Sequence, residues 1–302
     1  MRHKLLFIVM ALFAFAAPAN AKTLNVVASF SILGDMVQRV AGDNITLTTL
    51  VGPDGDAHSF EPSPDDATAL AKADLVFLNG LGFESWFARL ASASGTKAVF
   101  VTTSFGVMTR KMEGDGESIL DPHAWQDLGN GLIYVRNIRD ALIKADPAHR
   151  AAYTANADRY MDEISALNTW TRDQITTLPR DKRKIITTHD AFGYFGAAYG
   201  VSFLAPEGLS TDAEPGAGDL ARLIDEIRTK QIKALFIENM TDPRMMQTIA
   251  RETGAELPQG RDAELYSDAL SAADGPAPTY LDMFRNNVPK LLAAMAKNQD
   301  RH

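Results

Sequence analysis

Cysteine is absent from all 302 residues. Disulfides and thiolate metal ligands are therefore excluded, whatever the redox state of the compartment. A lipoprotein signal needs a cysteine at its cleavage point, so the sequence predicts a chain without a lipid anchor. Long apolar runs are missing too. The run Leu5–Ala17 falls short of the roughly 20 residues that a membrane-spanning helix requires. No block of basic residues occurs, and 38 acidic side chains outnumber 30 basic ones. That balance argues against nucleic acid as a partner and suits a cationic ligand.

What is present begins with a leader. Arg2, His3 and Lys4 precede the apolar run, and Pro18-Ala19-Asn20-Ala21 places small residues before a cut after Ala21. A basic start, a short apolar core and an A-x-A ending describe a secretory signal peptide, residues 1–21. Its removal takes two basic residues and no acid, which leaves 28 basic against 38 acidic side chains and moves the net charge from −8 to −10. The expectation is an exported, periplasmic protein, soluble, unanchored and monomeric. What remains is generous for one domain and natural for two lobes.

Strand and helix signals alternate through the first half. Strands are expected at Leu24–Ala28, Ile45–Val51, Leu75–Leu78 and Ala98–Thr102. Helices are expected at Ile32–Val40, about Asp65–Lys72, about Glu84–Ala93 and Leu132–Lys144. Such alternation implies a parallel sheet covered on both faces. Residues 103–128 read as a long connection, of the kind that is usually functional or mobile.

Asp146-Pro147 is a helix start, an acid before a proline at the first position. Tyr153, Ala157, Tyr160, Ile164 and Leu167 then recur at spacings of three and four, with no proline or glycine until Pro179. The spacing predicts one helix over 147–179, long enough to cross from one lobe to another. The second half repeats the alternation, with strands at Lys184–Thr188, Val201–Leu204 and Ala234–Ile237. Helices are expected at Ala191–Tyr199, Leu220–Lys230, Asp242–Thr253 and about Tyr280–Lys297. The predicted fold is α/β: two similar lobes with mainly parallel sheets, 22–146 and 180–302, joined by one long rigid helix.

Of six histidines, His3 leaves with the signal, His302 is terminal, and His149 lies among charges and reads as a surface residue. The other three share a setting. His58 follows a strand, within Gly-Asp-Ala-His-Ser-Phe-Glu-Pro. His123 stands in Asp-Pro-His-Ala-Trp, at the end of the long connection. His189 follows the strand Lys184–Thr188. Ligands of open α/β sheets bind beyond the carboxyl ends of strands, so a shared metal site is expected. The first half supplies two of these histidines, so a closing carboxylate should come from the second. Position alone leaves Asp190, Glu207, Asp212, Glu214, Glu238 and Asp268 as candidates.

Four segments resemble one family. Gly-Asp-Ala-His-Ser-Phe-Glu-Pro-Ser-Pro, Asp-Pro-His-Ala-Trp, Thr-His-Asp-Ala-Phe-Gly-Tyr-Phe and Tyr-Ser-Asp-Ala-Leu-Ser occur in the order found in zinc/manganese-binding solute-binding proteins of ABC transporters. The likeness covers essentially the whole chain after the leader, the long helix included. It implies one ligand per motif, carried over to His58, His123, His189 and Asp268, with the metal between two lobes. It also implies an inner-membrane ABC permease as partner, and a periplasmic metallochaperone as a further one.

In that family the third ligand is often Glu in manganese-binding members, and here it is His189. Three imidazoles and one carboxylate suit Zn(II), whereas Mn(II) favours oxygen-rich sites and binds more weakly. Many zinc members carry a histidine-rich loop, but residues 103–122 hold none, only acids such as Glu113, Asp115 and Glu117. Zn(II) is the expected cargo and Mn(II) the alternative. Glu61 and Asp121 are candidates to accept an imidazole N–H behind the ligands. Trp125, Phe192, Tyr194 and Phe195 read as core around the site, and Met245 and Met246 as helix core. Ser210 to Pro215 resembles a recurrent family segment.

Two other functions compete with metal capture. A zinc hydrolase would use three histidines and leave a position open to water, with Glu238 as base. However, H-E-x-x-H is absent and a fourth protein ligand leaves little room for water. Surface adhesion is a further possibility, but nothing in the chain marks it. The expectation is a binding protein and no enzyme.

Overall fold

The computed structural model describes residues 23–114, 117–208, 211, 216–260 and 264–298, with backbone alone for 112–114 and 117–118. The leader and its cleavage point therefore lie outside the described residues. So do Asp212, Glu214 and most of the segment from Ser210 to Pro215.

The first lobe is built on β1 (Leu24–Phe30), which runs without a loop into α1 (Ser31–Ala41). Ile32, Leu33, Met36, Val37 and Val40 of α1 are buried, the helical stripe that the sequence pattern dictates. Next come β2 (Ile45–Val51), α2 (Pro64–Lys72), β3 (Leu75–Leu78), α3 (Phe87–Ser94) and β4 (Val99–Thr102). The four strands form a parallel sheet in the order β2-β1-β3-β4. Helix α2 starts at a capping box: Ser63 Oγ accepts from Asp66 N, and Asp66 accepts from Ser63 N, with Pro64 at the first helical position. The stretch between β2 and α2, dense in Gly, Pro and Asp, carries His58.

The long connection departs from its reading as a loop. It contains an antiparallel hairpin, β5 (Lys111–Gly114) with β6 (Glu117–Leu120), and then a 3₁₀ turn at Ala124–Gln126. Its short, mixed-polarity strands give no clean alternation, so no strand pattern marks them in the sequence. Helix α4 (Leu128–Ala145) follows, capped by Asp127, whose side chain accepts from Gly129 N at 2.7 Å.

Helix α5 spans Arg150–Thr176, 27 residues or about 40 Å. It is shorter than the pattern suggests because Pro147–His149 is a separate 3₁₀ turn and the helix frays before Pro179. Tyr153, Ala157, Tyr160, Ile164 and Leu167 are all buried, as their spacing predicts. At its start Asp146 Oδ2 accepts from Tyr153 Oη at 2.8 Å and contacts His149 Nδ1.

The second lobe holds β7 (Lys184–Ile186), α6 (Gly193–Tyr199), β8 (Ser202–Leu204), α7 (Ala217–Lys230), β9 (Ile237–Glu238), α8 (Arg244–Thr253) and β10 (Glu264–Leu265). Its pairings are all parallel but come in short pieces: β7 with β8, β9 with β10, and single bridges from Ile186 to Leu235 and Ala234 to Glu256. The last helix, α9 (Tyr280–Met295), packs on α1, α5 and β7, so it touches both lobes.

One hydrophobic core runs through the first lobe, α5, α6 and α9, and reaches Phe236, Leu265 and Tyr266. A smaller one lies among α7, α8 and the strands beneath them and includes Met246. Asp35 of α1 ties the elements polarly: it accepts from Tyr280 N at 2.9 Å and from Tyr160 Oη at 3.4 Å. Burial pushes its carboxyl above the usual range. A core continuous across both lobes and the spanning helix makes a stiff frame for the cleft between them. Among the described residues no helix is long and apolar enough to cross a membrane.

Candidate metal centre

The first lobe contributes two imidazoles from the ends of its strands. His58 is set by its own loop, where its N–H donates to Asp56 Oδ1 at 2.9 Å. Behind it Phe30, Phe83 and Trp125 form an aromatic wall with centroids 4.9–5.0 Å apart, and Phe83 meets the His58 ring edge-on. His123 sits between β6 and the 3₁₀ turn. Asp121 Oδ1 accepts its backbone N–H at 3.0 Å and lies 2.9 Å from ring Nδ1.

The second lobe repeats that device with a residue remote in sequence. His189 follows β7, and Glu238 ends β9. Glu238 Oε1 accepts the His189 backbone N–H at 3.0 Å, while Oε2 lies 2.7 Å from ring Nδ1. The second contact is an ion-pair approach between two fully buried side chains. Asp268 lies just beyond β10, in a segment gripped from the first lobe. The carbonyl of Ser267 accepts from Trp125 Nε1 and Gln126 Nε2, each at 2.8 Å. Leu270 N donates to Ser31 Oγ at 3.0 Å, and its carbonyl accepts from Asp54 N at 2.9 Å.

These four side chains converge, and each offers a ligand atom within 4.8 Å of the others. Asp268 Oδ2 stands 3.0 Å from His189 Nε2, 3.1 Å from His58 Nε2 and 3.5 Å from His123 Nε2. His58 and His123 face each other, Nε2 to Nε2, at 3.3 Å. The carboxylates behind His123 and His189 favour the proton on Nδ1, which leaves the Nε2 lone pairs directed inward. Asp268 Oδ1 is buried with no hydrogen-bond partner. Lone pairs and an orphaned carboxylate oxygen crowded into one dry space fit a small cation.

Without a cation, protons take its role. Burial disfavours charge on His123, but Asp268 and Asp121 outweigh it and push the ring up to about 9. His189 moves the same way: burial opposes its charge, and Glu238 with Asp268 overcomes it. Asp268, despite the penalty of burial, is held well below the usual carboxylate range by His123 and His189.

The expected side chains distribute as follows. His58, His123, His189 and Asp268 come together, and Asp121 stands behind His123. Glu61 does not join them: it is exposed at the surface and makes no contact with an imidazole, because its loop turns toward the cap of α2. Glu238, a candidate ligand and hydrolytic base by sequence, stands instead behind His189. Its position at the end of a strand was the available signal. Asp190 is partly buried beside the site, and Glu207 lies outside the group of four. Trp125, Phe192, Tyr194 and Phe195 are all buried. Tyr194 also donates to the Asp121 carbonyl at 3.3 Å and accepts from Arg110 N at 3.0 Å, which joins the lobes above Asp121.

Comparison with known proteins gives this geometry its relatives. Residues 26–294 match the family described as "Zinc-uptake complex component A periplasmic". The "Manganese-binding lipoprotein MntA" of Halalkalibacterium halodurans is 33% identical over 96% of this chain and 98% of its own. The "Iron-binding protein YfeA" of Yersinia pestis is 32% identical over 89% of this chain and 85% of its own. Among solved structures, an Mn-bound periplasmic metal-binding protein from candidatus Liberibacter asiaticus is 32% identical, with a TM-score of 0.80 over 89% of this chain and 98% of its own. A structure of TroA gives 30% identity and a TM-score of 0.85 over 90% and 99%.

The names correct one expectation. Relatives from H. halodurans, Streptococcus sanguinis and Streptococcus gordonii are lipoproteins, which overturns the reading of a free protein without a lipid anchor. That reading rested on the missing cysteine and on residues 1–21, which lie outside the described structure, whereas anchorage is a property of proteins closely similar in sequence. The hydrolase reading also falls away, since these relatives and their fold belong to substrate-binding proteins of transporters and not to enzymes. Two α/β lobes, a spanning helix and a match over nearly the full length lead to one conclusion: the chain belongs to the zinc-uptake component A family, the metal-binding substrate-binding proteins of ABC transporters.

Proposed function

We propose that this chain captures Zn(II) with His58, His123, His189 and Asp268 and hands it to the permease of its ABC transporter. The observation that carries the reading is the convergence of three imidazole Nε2 atoms on Asp268 Oδ2, with carboxylates behind two of the rings. Three nitrogens and one oxygen match the tetrahedral preference of zinc, which stands above manganese in intrinsic affinity for such donors. The lobes, 22–146 and 180–302, supply two donors each, so capture joins them across the cleft, and 147–179 keeps them in register. The chain works as a monomer in this reading.

Mn(II) is the second reading, favoured by the names of the relatives. Several are manganese-binding, and a solved neighbour holds manganese. The orphaned Asp268 Oδ1 gives this reading a physical basis, because a carboxylate with both oxygens available adds the extra hard donor that manganese prefers. Titration of the metal-free protein with Zn(II) and Mn(II), separately and in competition, tests both. One ion per chain is expected, with zinc the tighter. Binding that survives His58→Ala combined with His189→Ala would remove the ligand assignment. Manganese recovered with protein purified from its native cells would replace the choice of metal and leave the ligands standing.

A further inference from the structure

The chain leaves β3 through a turn of uncommon conformation. Three successive residues have positive φ: Gly80 at 82°, Leu81 at 57° and Gly82 at 85°. Leucine is disfavoured there because its Cβ crowds the following carbonyl. A side chain at Gly80 would also meet Thr102 Cγ2 at 2.5 Å. Backbone in such regions persists where its surroundings over-determine it, and it gathers at functional sites. Here Glu84 holds the turn. Its Oε1 accepts from Asn79 N at 2.6 Å and from Ser29 Oγ at 2.7 Å, and its Oε2 accepts from Gly80 N at 3.1 Å. The successive N–H groups form a cup around a carboxylate of their own chain.

The turn reaches both ligands of the first lobe. Asn79 is fully buried, and its Nδ2 donates at 2.9 Å to the carbonyl of Pro122, the residue before His123. Tyr134 Oη of α4 donates to Asn79 Oδ1, and Ser104 Oγ donates to the Asn79 carbonyl at 2.6 Å, so Asn79 is fixed at both oxygens. Phe83, beside Glu84, has its ring centroid 4.8 Å from that of His58 and 6.1 Å from that of His123. Trp86 Nε1 donates at 2.8 Å to the carbonyl of Ala57, the residue before His58. His58 and His123 stand on connections that follow different strands, β2 and β6, and the stretch from Asn79 to Trp86 touches both.

We infer that Glu84 is a positioning residue for metal capture: by holding the turn after β3 it sets the spacing between His58 and His123. The inference rests on the four-ligand reading above. Two imidazoles serve one ion only when both Nε2 atoms reach a common point, at about 2.0–2.1 Å for zinc. The hydrogen bonds of Glu84 go to the turn and to Ser29, not to either imidazole. Its action is therefore indirect. Asn79 passes the position of the turn to Pro122 and His123, and Phe83 passes it to the His58 ring.

The test uses Co(II) alone, whose visible absorption reports the geometry of its ligands, on the full-length protein carrying Glu84→Gln, Asn79→Ser, Ile138→Val or His123→Ala. Glu84→Gln keeps the shape of the side chain but turns a donor toward Gly80 N. Asn79→Ser leaves the carboxylate in its cup and removes the bond to Pro122, so it decides the matter even where Glu84→Gln fails to fold. Both should bind Co(II) about five- to tenfold more weakly, the effect of one hydrogen bond, with an altered visible band. Ile138→Val thins the buried face of α4 away from the turn. It should lower the Tm and keep the wild-type band and affinity. A wild-type band and affinity in Glu84→Gln or Asn79→Ser, or an equal change of band in Ile138→Val, overturns the inference. Undiminished binding by His123→Ala would instead overturn the ligand assignment itself.

Discussion

Glu238 holds His189 at two points, its Oε1 accepting the backbone N–H at 3.0 Å and its Oε2 lying 2.7 Å from the ring Nδ1. Asp121 does the same for His123 with one oxygen, at 3.0 and 2.9 Å. Each lobe thus fixes one imidazole by a carboxylate that stands outside the group of four. A carboxylate behind a ligating imidazole orients the ring, sets its tautomer and raises its basicity.

Glu238→Gln keeps the shape of the side chain and removes its charge. Zinc affinity should fall by about 10–100-fold, the range found when such partners are lost. Asp121→Asn should behave alike, and Glu61→Gln should change nothing measurable. Competition with a chromophoric chelator reads all three. Equal effects for Glu238 and Glu61 would contradict the assigned roles.

Metal and protons compete for the same Nε2 atoms. His123 is pushed up to about 9, so its ring carries a proton at neutral pH in the metal-free protein, and His189 is raised in the same direction by Glu238 and Asp268. Binding at neutral pH should release protons, and affinity should rise with pH until it levels off above about 9. Calorimetry in buffers of different ionisation enthalpy counts the protons. No release at neutral pH would rule out this account.

The stability of the metal-free protein should run the opposite way. The folded value for His123, about 9, lies above its ordinary 6.5. Its stabilisation is complete below pH 6.5 and disappears as pH rises through about 9. The Tm of metal-free protein should therefore decline over that window, while protein with saturating zinc gains stability as binding tightens. Thermal scans at several pH values, with and without zinc, decide it; a metal-free Tm that climbs over the same window would count against the pairing.

Gly193 lies against the Asp121–Arg110 contact. A Cβ there would meet Asp121 Oδ2 at 2.6 Å and the Arg110 guanidinium at 3.1 Å. Gly193→Ala should displace Asp121 from His123, weakening zinc binding and costing about 1–3 kcal/mol of stability from overpacking. Denaturant unfolding and a metal titration report the two effects separately. Tight zinc binding in this variant would mean that Asp121 can shift without cost.

Legibility in the sequence followed the range of the interactions. Tyr153, Ala157, Tyr160, Ile164 and Leu167 are readable as one buried stripe because helical periodicity is local. Asp121 is readable behind His123 because the two are separated by two residues. Glu238 stands 49 residues from His189, and no spacing rule connects them. The hairpin of β5 and β6 and the two-residue strand β10 are unreadable, since pairing with a partner defines such short strands.

By itself the sequence determined the alternation of strands and helices, the long helix, the lack of any thiolate chemistry, and three loop histidines, two of them just beyond strands, as candidate ligands. These follow from composition and from periodicities that act over a few residues. Tertiary structure decided which of the candidate carboxylates faces the histidines, since choosing Asp268 requires the two lobes to meet. It also decided that Glu238 supports a ligand and that Glu61 does not. Convergence of groups 65 to 210 residues apart is a property of the packed core, whose contacts no local pattern encodes.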